Sequence, residues 1–436
     1  MKQLVGRLGW YKVFESAINA WKIIDLRKKI LYTLFIIVLF RLGSFIPVPF
    51  LNADAIFTLF NPSDASGQVN NGALDFLNIM SGGAMERASI FAMSISPYIN
   101  ASIIMQLLTV AIPALERMQK EGDEGRKKIQ QIVRYVTVLL GLIQGFGFYT
   151  ILASQNLIMK RHWFSALVIT ISFTAGTALI MWLGEQINER GIGNGISIIL
   201  FFSIISRGPD IVNFIVLQFR GGNYFITPIL IIASVALIVF IVIMSNAERR
   251  LPVQYAKRVV GRKMYGGQST HLPLKLSMTG VLPIIFASSF VLIPSTIARF
   301  IPSISEIVDK WFGYKSAIYA LVYFFLIIAF NYFYVAMQYN PIEMANNIKK
   351  NGGFIPGIRP GKPTSDFISK VLGKITLIGA LYLGLVAVLP IITSIFTNTN
   401  LAIGGTSILI VVGVILETLK TLESQMLMRH YKGFLE

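Results

Sequence analysis

SISPYINASIIMQLLTV (residues 94–110) lies in a run apolar enough to cross a bilayer, yet Ser94, Ser96, Pro97, Asn100, Ser102 and Gln106 interrupt it. Ile95, Ile99 and Ile103 stand between them at helical spacing. A lipid-solvated helix has no use for so many polar groups, because each unsatisfied one is costly in hydrocarbon. The pattern asks for a helix that meets protein or water on one face. The three isoleucines by themselves fit lipid contact or core packing, since aliphatic residues are commonplace in spans.

The 436 residues are 54% hydrophobic and only 14% charged, against roughly 25% charged in a soluble domain. Apolar runs recur along the whole chain, which reads as an all-α, polytopic membrane protein. With no cysteine, a disulfide framework and a thiolate metal site are excluded. Lys and Arg number 39 against 21 acids, a net charge of +18. Such an excess usually lies in cytoplasmic loops; it also suits anionic lipid or nucleic acid.

About ten runs reach membrane length. They lie near residues 30–50, 84–111, 129–153, 163–183, 196–219, 225–244, 276–299, 314–337, 371–396 and 404–428. The fifth is the least regular, because Arg207, Gly208 and Pro209 break it. The run after Lys28 and Lys29 continues through Arg41 to Pro47 without a small-residue cleavage site, so it is expected to span rather than to be removed. With the N-terminus inside, the inner loops collect Arg27, Lys28, Lys29, Arg117, Lys120, Arg126, Lys127, Lys128 and the basic residues of two long loops. The outer loops hold about five, among them Lys160, Arg161 and Lys310, which places both termini in the cytoplasm. Ahead of the first span, Trp10, Phe14, Ala17, Trp21 and Ile24 recur at helical spacing. They read as an amphipathic helix on the cytoplasmic leaflet, or as a short helix packed on neighbouring protein.

Catalytic and metal motifs do not emerge. His162, His271 and His430 stand far apart, with no HExxH and no GxSxG. RGIGNGIS (190–197) imitates a phosphate loop, but it opens a membrane helix rather than a strand–helix unit. No cofactor, metal or catalytic residue is expected, and the chain is not read as an enzyme. Ion-coupled transporters place acids near the midplane. Here Glu86, Glu185, Asp210 and Glu417 fall at or toward span ends. A secondary transporter of a small solute is thus the weaker alternative.

The seventh run, LSMTGVLPIIFASSFVLIPSTIAR (276–299), shares the habit of the second: Ser277, Thr279, Pro283, Ser288, Ser289, Pro294 and Ser295. For one serine, ordinary helix packing is explanation enough; for two such spans, a water-lined face competes with it. The loops 245–275 and 338–370 run to about 30 residues against a usual 2–8 between helices. Gly261-Arg262-Lys263 and PGIRPG (356–361) look like their basic tips. Topology-setting charge accounts for the basic residues, while the loop length points to docking.

Seven motifs then carry a resemblance over nearly the whole chain: FRLGSFIPVP (40–49), SGGAMERASIFAMSISPYINASIIMQLLTV (81–110), KEGDEGRKKI (120–129), WLGEQINERGIGNGISI (182–198), YAKR…GR…QSTHLPLK (255–275), PGIRPG (356–361) and GGTSILIVV (404–412). The chain resembles the SecY family, the channel subunits of Sec protein translocons. The resemblance implies ten transmembrane helices in two pseudo-symmetric five-helix halves around an hourglass pore. A cytoplasmic N-terminal segment (1–29) would precede a first half (30–220) and a second half (221–428), with a cytoplasmic tail (429–436). It implies a waist ring at Ile95, Ile99, Ile196, Leu200, Ile285 and Ile410, where Leu200 departs mildly from the family's isoleucine. A plug falls near 72–80, at Gly72, Leu74, Phe76, Leu77, Ile79 and Met80, with Gly82 and Gly83 as a hinge. Gln106, Ser277, Ser288 and Ser289 would lie along a lateral gate. Arg262, Lys263 and Arg359 would dock the ribosome or the motor ATPase SecA. SecE, SecG, a translocating polypeptide or signal sequence and membrane lipid are the other implied partners, and a bacterial cell membrane the implied location.

Overall fold

A computed structural model describes residues 21–60, 78, 81–221, 224, 226–255, 258–260, 263–265, 269–300, 308, 311, 316–397 and 405–432. In chain order the helices are α1 (Ile24–Gly43), α2 (Ala53–Phe60), α3 (Ser96–Ala111), α4 (Pro113–Lys120), α5 (Asp123–Ser154), α6 (Trp163–Arg190), α7 (Gly195–Ile205), α8 (Gly208–Arg220) and α9 (Ile226–Asn246). Four strands follow, β1 (Glu248–Tyr255), β2 (Arg258–Val260), β3 (Lys263–Tyr265) and β4 (Ser269–Lys275). Then come α10 (Leu282–Phe300), α11 (Ala317–Gln338), α12 (Pro341–Lys350), β5 (Gly353–Phe354), α13 (Lys362–Thr397) and α14 (Gly405–Lys432). The proposed surface helix around Trp10–Trp21 lies largely outside the described residues.

Among the described residues, five helices are long and apolar enough to cross a membrane, or six if a bent pair counts as one. The bent pair is α3 and α4, turned by 100°. Pro113 causes the bend, because the residue before a proline is pushed out of the helical region and Ile112 is extended there. α1 begins six residues earlier than the sequence suggests and carries Lys28, Lys29 and Arg41. The fifth run breaks at Ser206–Arg207 into α7 and α8, as its polar interruption predicts. Trp163 and Trp182 on α6 are both exposed. Their separation is about 28 Å at 1.5 Å per residue, the spacing of two aromatic belts flanking a ~30 Å core.

The chain divides into two compact units. The first comprises Met1–Gly221, Ser295–Glu306 and Gly413–Glu436. In it the α5–α6 hairpin packs through small residues. Cβ atoms built at Gly141 and Gly145 would lie 3.2 Å from Thr174 Cγ2 and from the Thr170 carbonyl oxygen. This is the close backbone approach that small residues permit in membranes. Leu26, Ile192 and Leu422 form a small core where α1, the α6–α7 turn and α14 meet. An apolar groove of about 290 Å³ lies alongside, lined by Ile30, Leu34, Phe201, Phe202, Ile415 and Leu419 among others.

Residues 81–95 depart from the predicted second span: they are buried and irregular, and the helix begins only at Ser96. Gly82, Gly83, Ala88 and Ser94 have positive φ (67°, 80°, 49° and 52°), which no α-helix tolerates. Irregular backbone at membrane depth survives only when buried in protein. Here Val48 N–H donates to the Ala88 carbonyl (2.8 Å) and Ile90 N–H to that of Ile46 (3.0 Å). α6 covers the other side so closely that a Cβ on Gly176 would lie 1.9 Å from the Ile90 carbonyl oxygen. Gly176→Ala should therefore cost about 2–3 kcal/mol by overpacking. A drop in the melting midpoint of the detergent-solubilised protein checks this. Gly373→Ala, which meets nothing within 4 Å, is the control expected to leave the midpoint unchanged.

The second unit comprises Gly222–Pro294 and Ile307–Val412. Its helices α10 and α11 meet through aromatic contacts such as Phe286–Phe330 (6.0 Å between centroids), and α9 and α13 through Phe240–Tyr382 (5.8 Å). The two long loops are structured. β1 pairs antiparallel with β4 from Glu248↔Lys275 to Gln254↔Ser269, and β5 adds to the other edge of β1, giving the order β4-β1-β5. Alternation along β1 buries Leu251 and Val253, the period-two signature of a half-covered sheet. They join Leu274, Ala345, Ile348, Ile355, Ile368, Leu372 and Ile375 in one core. At 36 residues, α13 is about 54 Å long, well beyond the ~30 Å hydrocarbon thickness. Its N-terminal turns supply Ile368 and Leu372 to the loop core. This small sheet is an addition to the all-helical membrane body that the sequence implies.

Candidate channel lining and gating elements

Within the first unit, two helix starts carry the expected ring residues. Ile95 is the N-cap of α3 and Ile99 lies one turn later; Pro97 in the first turn suits the helix start. Both isoleucines are buried. α7 is capped by Asn194, whose side chain accepts from Ile196 N–H (3.1 Å) and Ser197 N–H (3.4 Å). Leu200 follows Ile196 at i+4, on the same helix face. Leu200 is fully buried, while Ile196 is half-buried beside Gly184. The cap also disposes of the phosphate-loop likeness. The amides an anion needs are taken, those of Ile196 and Ser197 by Asn194 and that of Gly195 by Asn188 Oδ1 (2.7 Å).

In the second unit, Ile285 lies in the first turn of α10 and Ile410 near the start of α14, and both are buried. None of the six aliphatic positions is on an exposed helix face.

The gate candidates differ in state. Gln106 donates through Nε2 to Ser102 Oγ (3.4 Å), and its buried Oε1 has no partner among the described residues. Ser288 donates to the Ile285 carbonyl of its own helix (2.8 Å). Ser277 and Ser289 are half-buried. A stronger network was missed. Thr279 Oγ1 lies 2.6 Å from Asn331 Oδ1, and Asn331 Nδ2 donates to the Thr376 carbonyl (3.0 Å). The signal was legible: Asn331 is an amide deep in the apolar run of α11, and such a group must find a partner.

All six plug positions, Gly72, Leu74, Phe76, Leu77, Ile79 and Met80, lie outside the described residues, as does Arg262. Lys263 opens β3, where its backbone pairs with Val260. Arg359 is exposed on a loop pinned by buried Ile355 and by Thr364 Oγ1, which donates to the Arg359 carbonyl (2.8 Å).

Two buried acids are each paired within the first unit. Glu185 accepts from Arg134 Nε (2.8 Å) and Gln130 Nε2 (3.3 Å). Glu86 accepts from Arg207 Nη2 (3.4 Å) and Asn78 Nδ2 (3.1 Å). Neither is a bare carboxylate awaiting an ion. Among the described residues, no three His, Asp or Glu side chains are grouped to hold a metal.

The SecY family model matches residues 89–419. The chain belongs to the SecY family. It is 45% identical over 434 residues to the protein translocase subunit SecY of Streptomyces scabiei, covering 96% of this chain and 98% of that one. Its fold is similar to a solved structure of a protein conducting channel, with a TM-score of 0.64 at 17% identity, covering 91% of this chain and 92% of the other. It is also similar to Sec61 in the canine ribosome-channel complex from the endoplasmic reticulum, with a TM-score of 0.60 at 16% identity and the same coverages. At those identities the structural likeness concerns the fold. Membership of the SecY family and the long apolar helices make this a multi-pass membrane protein.

Proposed function

We propose that this chain is the protein-conducting channel of a bacterial secretory pathway. It passes unfolded polypeptides across the cell membrane and releases transmembrane segments sideways into lipid. The observation that carries this reading is near-full-length similarity to a bacterial translocase subunit. We propose ten spans in two halves with both termini cytoplasmic, in keeping with the basic inner loops.

In this reading Ile95, Ile99, Ile196, Leu200, Ile285 and Ile410 act together as an apolar collar. Aliphatic groups offer contact without directional bonds, so no passing side chain is held. An apolar constriction also resists water and ions by dewetting. The seal is backed by burial of five of the six side chains. Gln106, Ser277, Ser288 and Ser289 line a lateral gate. Interhelical polar contacts in membranes average about 0.6 kcal/mol, so a gate closed by a few of them opens at modest cost. A nascent segment then partitions by hydrophobicity, at roughly −0.5 kcal/mol per Leu and +3 per Arg at mid-membrane.

Arg262, Lys263 and Arg359 form the docking tips for the ribosome or SecA, and SecE and SecG complete the complex. The sheet that ties the two long loops together makes a rigid base for such docking. No nucleotide or catalytic step is assigned to this chain; the energy comes from the partner or the proton gradient. The test is transport in vesicles. With SecE, SecG, SecA and ATP, a secretory precursor should become protease-protected. Vesicles that instead accumulate a small solute and leave the precursor exposed would sink the reading in favour of a transporter.

A further inference from the structure

Ile196 and Leu200 ride on α7, and α7 is set down by the turn GIGNG (residues 191–195) that follows α6. Most of the amides around this turn find acceptors close by in sequence. Gly191 N–H donates to the Ile187 carbonyl (2.8 Å), and Gly195 N–H to Asn188 Oδ1 (2.7 Å). Ile196 N–H and Ser197 N–H donate to Asn194 Oδ1 (3.1 and 3.4 Å), and Ile198 N–H to the Asn194 carbonyl (2.9 Å). Ile192 N–H differs. It donates to Thr33 Oγ1 on α1 (3.2 Å), across 159 residues of sequence.

Thr33 and Ile192 are both buried. The Thr33 hydroxyl has one proton to give. It gives that proton to the Lys29 carbonyl (2.9 Å), which leaves a lone pair for the Ile192 amide. The approach is tight. A Cβ on Gly191 would lie 2.6 Å from Thr33 Oγ1, so glycine before Ile192 leaves room for the hydroxyl. On the side of α6, a Cβ on Gly195 would lie 2.0 Å from the Gly184 carbonyl oxygen, and one on Gly184 would lie 3.1 Å from Ile196 Cγ1. The turn is thus wedged between α1 and α6. In so close a packing, a shift of the turn is passed on to Ile196 and, one helical turn later, to Leu200.

We propose that Thr33 is a positioning residue of the channel, whose hydroxyl fixes the α6–α7 turn against α1 and thereby sets where Ile196 and Leu200 stand in the collar. The proposal rests on the collar reading above. Thr33 touches no passing polypeptide; it acts through the Ile192 amide. Loss of the acceptor strands a buried N–H, which costs more than an ordinary hydrogen bond gains. The turn relieves that cost by moving the amide toward water. An apolar constriction excludes water and ions only while its side chains close the gap, and that movement displaces two of them. Tyr32 supplies the comparison: its OH donates to Gln186 Oε1 (3.2 Å), which ties the same stretch of α1 to α6 itself and not to the turn.

The test uses the full complex in liposomes, read by idle ion efflux and by hydrogen exchange of the Ile192 amide, with precursor transport as the sign of an assembled channel. Thr33→Val keeps the shape and removes the acceptor. It should raise idle efflux about tenfold and strip protection from Ile192 N–H. Thr33→Ser returns the hydroxyl and should bring both readouts back to the wild-type level. Tyr32→Phe removes a bond that bypasses the turn and should leave efflux unchanged. Should Thr33→Val fail to assemble, Thr33→Ala removes the hydroxyl without adding bulk, and the same increase is expected. Wild-type efflux in the assembled Val or Ala variant, a Ser variant as leaky as Val, or an equal leak in Tyr32→Phe overturns the role of Thr33. Ile196→Ala separates this from the collar reading. If it leaks while Thr33→Val stays sealed, Thr33 alone is removed; if it also stays sealed, the collar fails.

Discussion

Ile196→Ala should convert the idle channel from sealed to leaky while leaving the chain assembled. Ile196 is the half-buried member of the collar, so trimming it removes less core packing than trimming fully buried Ile95 or Leu200. Losing three carbons lowers the cost of wetting by about 2.4 kcal/mol at ~0.8 per CH₂, roughly fiftyfold in ion efflux. Leu200→Ala should leak as much but also lose about 2–5 kcal/mol of stability from the cavity it opens. Co-purification with SecE and dye efflux from loaded vesicles separate the two effects. Efflux at the wild-type level in an assembled Ile196→Ala channel would remove the collar from the mechanism.

Arg359→Glu should fold normally yet reduce SecA-driven transport to under about 1%, from a loss near 3 kcal/mol when an interfacial charge meets its own sign. Folding is spared because the side chain is exposed, while the loop is held by Ile355, Ile358 and Thr364. Its place beside the β4-β1-β5 sheet explains why one charge has such leverage. The loop is anchored on a packed core, so a partner meets a pre-formed surface and not a chain that must first be ordered. ATP-dependent protection of a precursor is the readout, with melting midpoint as the folding control. Normal transport at a normal midpoint would exclude Arg359 from docking.

Much of the body was legible in the residues. Long apolar runs gave α5, α6, α9, α11 and α13, because a helix is the one open-ended structure that satisfies its own backbone in lipid. The break at Arg207-Gly208-Pro209 was equally local. The 81–95 segment was not legible. Residues 88–95 are as apolar as those of a span, although Glu86 and Arg87 precede them, and only the bonds to Ile46, Val48 and Asn78 reveal why the segment does not coil. The loop sheet was hidden for a related reason. β1 reads as charged at its start, ERR, and acquires a core only when α12 and the first turns of α13 cover Leu251 and Val253.

The sequence alone determined the class and, through its motifs, the family. The class follows from composition and period, which local backbone satisfaction and the cost of moving charge through lipid convert directly into structure. Only the tertiary structure decided that Glu86 is paired, that Asn331 bridges α10's approach to α13, and that two distant loops share one core. Those depend on partners tens to hundreds of residues away. A buried polar group is costly without its partner, and nothing in its own neighbourhood says which residue that partner is.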